Sequence, residues 1–131
     1  DYVEIGTADF DTLAQQLSRS QDVVGLSVEP VKAHLDALPV RHHQYKVNAA
    51  ITDEDGWAEL FMVKPEYVEP QCSNATLPAL GISYCLPWWF RATASLHRPS
   101  DLVEVHAGRM AADVQMTTKV QTLTYRSLLS Q

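Results

Sequence analysis

The sequence lacks the motifs by which most enzymes are recognised. Its five glycines are scattered singly, so no glycine-rich loop is available to cradle a phosphate. It has no Gly-x-Ser-x-Gly motif of a serine hydrolase. Ten Lys and Arg stand against sixteen Asp and Glu, a net charge of −6. Because nucleic-acid binding needs clustered Lys and Arg side chains, we expect no nucleic-acid partner. From the missing motifs we predict no catalytic residue and no cofactor.

The sequence also lacks a long apolar run. The segment 71–90 has no charged residue, but it is interrupted by Pro78, Gly81 and Pro87. A membrane-spanning helix needs about twenty mainly apolar residues, so we expect no direct membrane insertion by this chain. Because the chain begins with Asp1 and not with Met, we expect that an N-terminal segment was removed, for which a signal peptide or a membrane anchor is a candidate.

Cysteine is scarce, and the two that occur lie close together. Cys72 and Cys85 bracket a twelve-residue loop. Paired cysteines around a loop containing Ser, Pro and Gly predict a disulfide formed in an oxidising compartment. The alternative is two unrelated buried thiols in a cytosolic protein. We expect no metal site, since two cysteines at this spacing have no nearby Cys or His to complete four ligands. Asn74 begins a short glycosylation sequon inside the loop.

The most regular pattern in the sequence runs from 82 to 97. Even positions are apolar throughout, and odd positions are mostly polar, as in a half-buried strand with a bend near Pro87. This alternation places Trp88 in a core and Trp89 on the outer face. The predicted binding residues are the outward-facing ones, Trp89, Arg91, Thr93 and His97, because exposed aromatic and Arg side chains are enriched at recognition surfaces. The alternative is that another part of the chain covers Trp89.

Two helices are predicted near the N-terminus. In 7–19, the spacing of Phe10, Leu13, Ala14 and Leu17 predicts a core-facing stripe. In 27–39, Ser27 is a candidate cap, and Pro39 ends the helix. The apolar face of the second helix consists of Val31, Leu35 and Leu38.

The rest of the chain predicts strands. Val3 and Ile5 fit a short edge strand. The segments 44–51 and 57–64 predict a hairpin around an acidic turn. Alternation predicts a strand over 102–107, and the Thr- and Val-rich segment 114–126 predicts the last strand.

These elements predict an α+β fold in a single domain, 1–131. N-terminal helices (7–39) would pack on an antiparallel sheet of about four to six strands drawn from a β-rich part (44–126) that carries the disulfide loop 72–85. This order of elements is similar in outline to cystatin-like and NTF2-like folds and to the globular heads of pilin-like proteins. The likeness is one of element order and not of motifs.

Two functions of different classes fit this predicted fold. The first is a non-enzymatic extracytoplasmic module, secreted or periplasmic, that binds a protein partner or assembles in a cell-surface or envelope structure. The alternative is an NTF2-like small-molecule-binding protein or an isomerase- or dehydratase-like enzyme with a pocket in a curved sheet. Candidate pocket residues are Asp36, His97, His106 and Tyr125. Asn74 alone suggests a third function, a glycosylated secreted domain.

Overall fold

A computed structural model of the chain describes residues 1–17, 23–72, 76–77, 82–97 and 101–130. Helices make up 35% and strands 31% of the structure, so the mixed helix-and-strand composition predicted from the sequence is confirmed. The chain divides into two compact units. The first comprises 1–58 with 120–131, and the second comprises 59–119.

The first unit begins with strands and helices in alternation. They are β1 (Tyr2–Ile5), α1 (Thr12–Leu17), β2 (Gly25–Val28), α2 (Lys32–Ala37) and β3 (Gln44–Val47). The strands form a three-stranded sheet in the order β1-β2-β3, and both pairings are parallel. The predicted antiparallel sheet of four to six strands is therefore wrong here. A helix between two strands carries the chain back to the same end of the sheet, which makes neighbouring strands parallel.

The sequence pattern does not predict strand β2, and this is why the predicted sheet is antiparallel. The sequence from Val23 to Val28 has no alternation, as expected for a central parallel strand that is covered on both faces. Ser27, predicted to cap a helix, lies fully buried within this strand. Helix α2 begins only at Lys32. Its predicted apolar face is confirmed, since the three side chains that define it are buried: Val31, Leu35 and Leu38.

The parallel sheet has two chemically different faces. Register pairs Tyr2 with Gly25 and Gly25 with Gln44, and register partners on parallel strands project to the same side. One face is therefore polar and carries Tyr2, Glu4, Ser27, Gln44 and Lys46. The other face is apolar, and its Val28 belongs to a buried cluster with Ala49, Leu123 and Leu128.

The predicted apolar stripe of helix α1 is not buried in a core. Only Ala14 is buried, whereas three apolar side chains are at least one-third exposed: Phe10, Leu13 and Leu17. The helix starts later than predicted because the Glu4 carboxylate accepts the N–H groups of Thr12 (2.9 Å) and Leu13 (3.0 Å). Residues 18 and 19 of the predicted helix lie outside the described residues.

The remaining strands are β4 (Ala50–Ile51), β5 (Gly56–Val63), β6 (Thr76–Leu77), β7 (Ile82–Ser83) and β8 (Gln115–Leu123). A second sheet has the order β4-β8-β5, and β6 pairs with β7 antiparallel. The predicted hairpin of 44–51 with 57–64 is wrong, because β8 lies between the two segments. Local turn chemistry predicts that the chain reverses, but not that a distant strand fills the gap. Strand β8 itself lies within the predicted segment 114–126.

Two predicted strands of the second unit are helical instead. The segment 82–97 is a strand only at Ile82–Ser83, and Trp88–Ala92 forms a 3₁₀ helix. The segment 102–107 lies in helix α3 (Asp101–Ala107). Alternating apolar residues misled both predictions. In α3 the buried pair is Val103 and Ala107, one helical turn apart, while Val105 between them is exposed.

The other helical elements are short. They are the 3₁₀ turns Pro65–Tyr67 and Gly108–Met110, helix α4 (Ala111–Val114) in the second unit and helix α5 (Tyr125–Leu129) in the first. In the part of the chain that the structure describes, no helix has the length and apolar character needed to cross a membrane.

The core of the second unit gathers residues from most of its elements. It comprises Val63, Tyr67, Val68, Leu86, Phe90, Val103, Ala107 and Val114. The predicted disulfide between Cys72 and Cys85 is confirmed. Next to it, Leu86 donates its N–H to the Tyr67 carbonyl (2.7 Å) and accepts the Glu69 N–H (3.0 Å). The disulfide and this backbone bridge together fix the chain that leads into Trp88.

Candidate functional site

The 3₁₀ helix Trp88–Ala92 is held by its central residue. Phe90 is fully buried in the core of the second unit. Before it, Pro87 is extended, with φ −53° and ψ 149°, and turns the chain out of the Leu86 bridge. After it, the Phe90 carbonyl accepts the Thr93 hydroxyl at 2.8 Å and the Thr93 N–H at 3.2 Å, which closes the helix. The flanking side chains are therefore displayed from a segment anchored at both ends.

The two tryptophans lie opposite to their predicted positions. Trp89 is half-buried, packs against the core and stacks on the Phe90 ring at a centroid distance of 4.0 Å. Trp88, predicted to lie in the core, is 52% exposed. A 3₁₀ helix turns by a third of a revolution per residue, so the two-fold alternation of a strand does not apply.

Trp88 and Arg91 form a pair, here called the Trp88–Arg91 surface, in which Trp88 is exposed and Arg91 is half-buried. The Arg91 guanidinium lies over the Trp88 ring, with its central carbon 5.3 Å from the ring centroid. The two residues are three apart, one turn of the 3₁₀ helix, so they lie on the same side of it. A cation over an indole is an attractive arrangement that orders both side chains before any partner arrives.

The other predicted binding residues lie apart from this surface or turn inward. Trp89 faces the core, and the Thr93 hydroxyl donates a hydrogen bond to the Phe90 carbonyl. His97 is exposed, and its backbone N–H donates to the Ser95 hydroxyl at 3.4 Å. Asn74, the sequon residue, lies outside the described residues. Arg91 is thus the predicted residue that the structure places beside an exposed aromatic ring.

His106, a candidate pocket residue of the second unit, belongs to an aromatic cluster. The His106 ring meets the Phe90 ring edge-on at 5.0 Å and the Trp89 ring at 5.6 Å. The Tyr84 hydroxyl donates to the His106 carbonyl at 3.1 Å, and burial raises the pKa of that phenol. This packing is what a structural histidine makes.

The candidate pocket residues of the first unit are exposed. Asp36 pairs with Lys32 at 2.7 Å on the outer side of α2, and Tyr125 is 51% exposed at the start of α5. Over the described ranges, no group of three or more His, Cys, Asp or Glu is placed to hold a metal ion.

The sequence reasoning missed a buried polar cluster on the polar face of the parallel sheet. Asp11, just before α1, is fully buried. The Gln44 amide donates to the Asp11 carboxylate at 2.7 Å and to the Ser27 hydroxyl at 2.8 Å. The Arg41 guanidinium lies 3.3 Å from the other Asp11 oxygen. No local pattern shows this cluster, because its members come from three separate segments, and only Arg41 and Gln44 are close in sequence.

A second buried carboxylate, Glu29, follows β2. Its two oxygens accept the N–H groups of Ala8 (2.8 Å) and Val31 (2.9 Å), and His34 Nδ1 lies 3.9 Å away. Ala8 is in the left-handed region with φ +48°, an unusual conformation for a residue other than glycine. Glu29 therefore ties the loop after β1 to the start of α2, and both of its oxygens serve the fold.

Comparison with known proteins adds no family. No protein-family profile matches the sequence, and neither the curated proteins nor the solved structures contain a significant match. Function is therefore argued from the geometry of this chain's own residues.

Proposed function

We propose that the chain is a non-enzymatic protein-binding module that works in an oxidising, extracytoplasmic compartment and docks through the Trp88–Arg91 surface. The observation that carries this proposal is the exposure of Trp88 on a segment whose neighbour Phe90 is fully buried. A large ring fixed in this way loses little conformational entropy when a partner covers it.

The chemistry of the Trp88–Arg91 surface favours a partner with an apolar side chain next to a carboxylate. Between Glu69 and Asp101 the sequence contains no acidic residue, and Arg91 lies within that stretch. The planar guanidinium of Arg is suited to two parallel hydrogen bonds with a carboxylate. We expect a protein partner that places an apolar side chain on the open face of Trp88 and a carboxylate beside Arg91. Trp and Arg are the residue types that most often dominate binding at protein interfaces.

The disulfide supports the proposed compartment. Bonded cysteines persist in secreted, periplasmic or cell-surface proteins and are rare in the cytosol. Of the cysteines that the structure describes, none is unbonded. A thiol count on the denatured protein from its native source, without reductant, checks this part. Two reactive thiols per chain would contradict an oxidising compartment and leave the docking surface to be tested separately.

The docking surface is tested by comparing two exposed tryptophans. Trp88→Ala and Arg91→Ala are compared with Trp57→Ala, since Trp57 is 66% exposed but belongs to the first unit. Each immobilised variant is incubated with the native extracytoplasmic fraction, and the retained proteins are quantified by mass spectrometry. We expect at least one protein to be retained by wild type and by Trp57→Ala but lost, by about tenfold or more, with Trp88→Ala.

Arg91→Lys separates charge from shape. It keeps the positive charge but loses the planar fork, so we expect it to weaken retention nearly as much as Arg91→Ala. Equal retention by wild type, Trp88→Ala and Arg91→Ala would contradict the proposed surface. Self-association belongs to the same test, because sedimentation of the isolated wild-type chain would show it as a mass above that of one chain, absent in Trp88→Ala.

The small-molecule alternative stays a prediction. It was based on a cup formed by a curved antiparallel sheet, and the first sheet in the structure is parallel and three-stranded. No contact among the described residues favours it over the protein-binding proposal.

A further inference from the structure

The buried polar cluster beside the start of α1 contains polar atoms that have no hydrogen-bond partner among the described residues. Asp11 is fully buried, yet its Oδ1 has no hydrogen-bond partner among the described residues. The same holds for Gln44 Oε1 and for Arg41 Nη1, both buried atoms. The Arg41 Nη2 atom approaches Asp11 Oδ1 at 3.3 Å, which is an ion pair but not a hydrogen bond of good geometry. The cluster thus has two unused acceptors and one unused donor.

Such atoms are costly unless something pairs with them. A buried donor or acceptor without a partner costs about 1–3 kcal/mol, and more when it is charged. Native proteins therefore rarely leave three in one place. The three atoms belong to side chains that already touch, because Gln44 Nε2 lies 2.7 Å from Asp11 Oδ2. Whatever satisfies them must be small.

The required chemistry is specific. The bound molecule must donate two hydrogen bonds, to Asp11 Oδ1 and Gln44 Oε1, and accept one from Arg41 Nη1. A water molecule has two donors and an acceptor on one atom, and buried waters in proteins make about three hydrogen bonds of this kind. We propose that the Asp11–Arg41–Gln44 cluster is a binding site for one internal water molecule.

A proton on Asp11 is the main rival explanation. A protonated Oδ1 would donate directly to Gln44 Oε1 and satisfy both acceptors without a bound molecule. That arrangement still leaves Arg41 Nη1 unpaired, and it removes the negative charge that Arg41 faces at 3.3 Å. The water arrangement satisfies all three atoms and keeps the ion pair.

The site has a structural consequence for α1. Gln44 joins Asp11 to Ser27 in the middle of β2, and Glu4 accepts the first N–H groups of the helix. The water would complete a polar anchor beside the start of the helix. Such an anchor would help to hold α1, whose apolar side chains Leu13 and Leu17 are each about one-third exposed.

Two measurements test the site. In a high-resolution crystal structure we expect one ordered water within roughly 2.7–3.2 Å of Asp11 Oδ1, Gln44 Oε1 and Arg41 Nη1. In solution, oxygen-17 relaxation dispersion counts long-lived internal waters, and we expect Arg41→Lys to lose one of them relative to wild type. Lys32→Met is the matched control, because Lys32 lies exposed on α2, where it forms an i, i+4 ion pair with Asp36. It should keep the wild-type count.

Other results would overturn the proposal. Direct protein hydrogen bonds among the three atoms, with no density between them, would establish the protonated arrangement. Density too large for water, matched by a small molecule released on denaturation and identified by mass spectrometry, would make the site a ligand site of another class. An unchanged water count in Arg41→Lys would exclude Arg41 as part of the site. If Arg41→Lys does not fold, the crystal structure of the wild-type chain decides alone.

Discussion

The aromatic ring of Tyr2 lies where a side chain at Gly25 would begin. The two residues are register partners on β1 and β2, and a Cβ added at Gly25 would overlap the Tyr2 ring. Glycine at this position is therefore required by the close approach of Tyr2. We expect Gly25→Ala to destabilise the first unit by roughly 1–3 kcal/mol, the usual cost of overpacking, as a lower denaturation midpoint.

A double-mutant cycle isolates this contact. Tyr2→Ala removes the ring, so Gly25→Ala should cost much less in that background than in wild type. Equal costs in both backgrounds would mean that the Tyr2 ring moves aside freely and that the contact does not require glycine.

Glu29 is expected to be the most sensitive acidic residue of the first unit. Its carboxylate accepts the buried N–H groups of Ala8 and Val31, so Glu29→Ala leaves two buried donors without partners. We expect a loss of roughly 2–4 kcal/mol in the free energy of unfolding, measured by urea denaturation. Glu29→Gln keeps one acceptor oxygen and should lose less.

The control for Glu29 is an exposed carboxylate. Asp36 makes a surface ion pair with Lys32 in the i, i+4 arrangement, so Asp36→Ala should cost only about 0.5 kcal/mol or less. A loss for Glu29→Ala as small as that of Asp36→Ala would show that the loop after β1 finds other hydrogen bonds.

Elements fixed by contacts within one short segment were predicted correctly from the sequence. The buried face of α2 follows from the spacing of Val31, Leu35 and Leu38, and the disulfide follows from two cysteines around one loop. Strand β8 is long and rich in β-branched residues, so its own composition identifies it.

The wrong predictions concern which strands are neighbours in a sheet and which face of a helix or strand is buried. The neighbour of β5 is a strand about sixty residues later in the chain, which no local pattern encodes. Trp88 and Trp89 were exchanged because two-fold alternation was read where the backbone makes a 3₁₀ turn. The spacing of Leu13, Ala14 and Leu17 predicts a buried stripe on α1, but only Ala14 is buried, because spacing does not encode what lies next to the helix.

The stability of the first unit should depend on pH through Asp55. Its carboxylate accepts the Ser127 hydroxyl and the Thr124 N–H, both at 2.5 Å, and these hydrogen bonds lower the pKa of Asp55, the Ser127 bond most. A carboxyl whose pKa is lower in the folded state stabilises that state above its ordinary pKa of about 3.9. This stabilisation is lost as the pH falls through the folded-state pKa.

Asp55→Asn tests that dependence. At neutral pH the variant should unfold at a lower denaturant concentration than wild type, and the difference should shrink as the pH falls below about 4. Asp53→Asn, an exposed residue of the same turn, should show little such change. A difference for Asp55→Asn that is constant with pH would contradict the role of its charge at the start of α5.

The disulfide should contribute measurably to stability. It closes a loop with a sequence separation of 13 residues, and loop-closure entropy assigns such a crosslink about 3 kcal/mol. We expect the double variant Cys72→Ala/Cys85→Ala to lose about that much in guanidinium denaturation. Reductant should lower the midpoint of wild type but leave that of the double variant unchanged, and a reductant effect on both would point to a different cause.

Trp88 and Phe90 should separate binding from stability. Phe90 is fully buried in the core of the second unit, so Phe90→Ala is expected to cost about 3–5 kcal/mol. Trp88 is half exposed and contacts Arg91 on the surface, so Trp88→Ala should change the free energy of unfolding by about 0.5–1 kcal/mol at most. The measurement is urea denaturation followed by far-ultraviolet circular dichroism, which does not depend on the substituted indole. A Trp88→Ala variant that keeps its stability but loses its partner would assign Trp88 to recognition, whereas a loss of stability close to that of Phe90→Ala would assign it to the core.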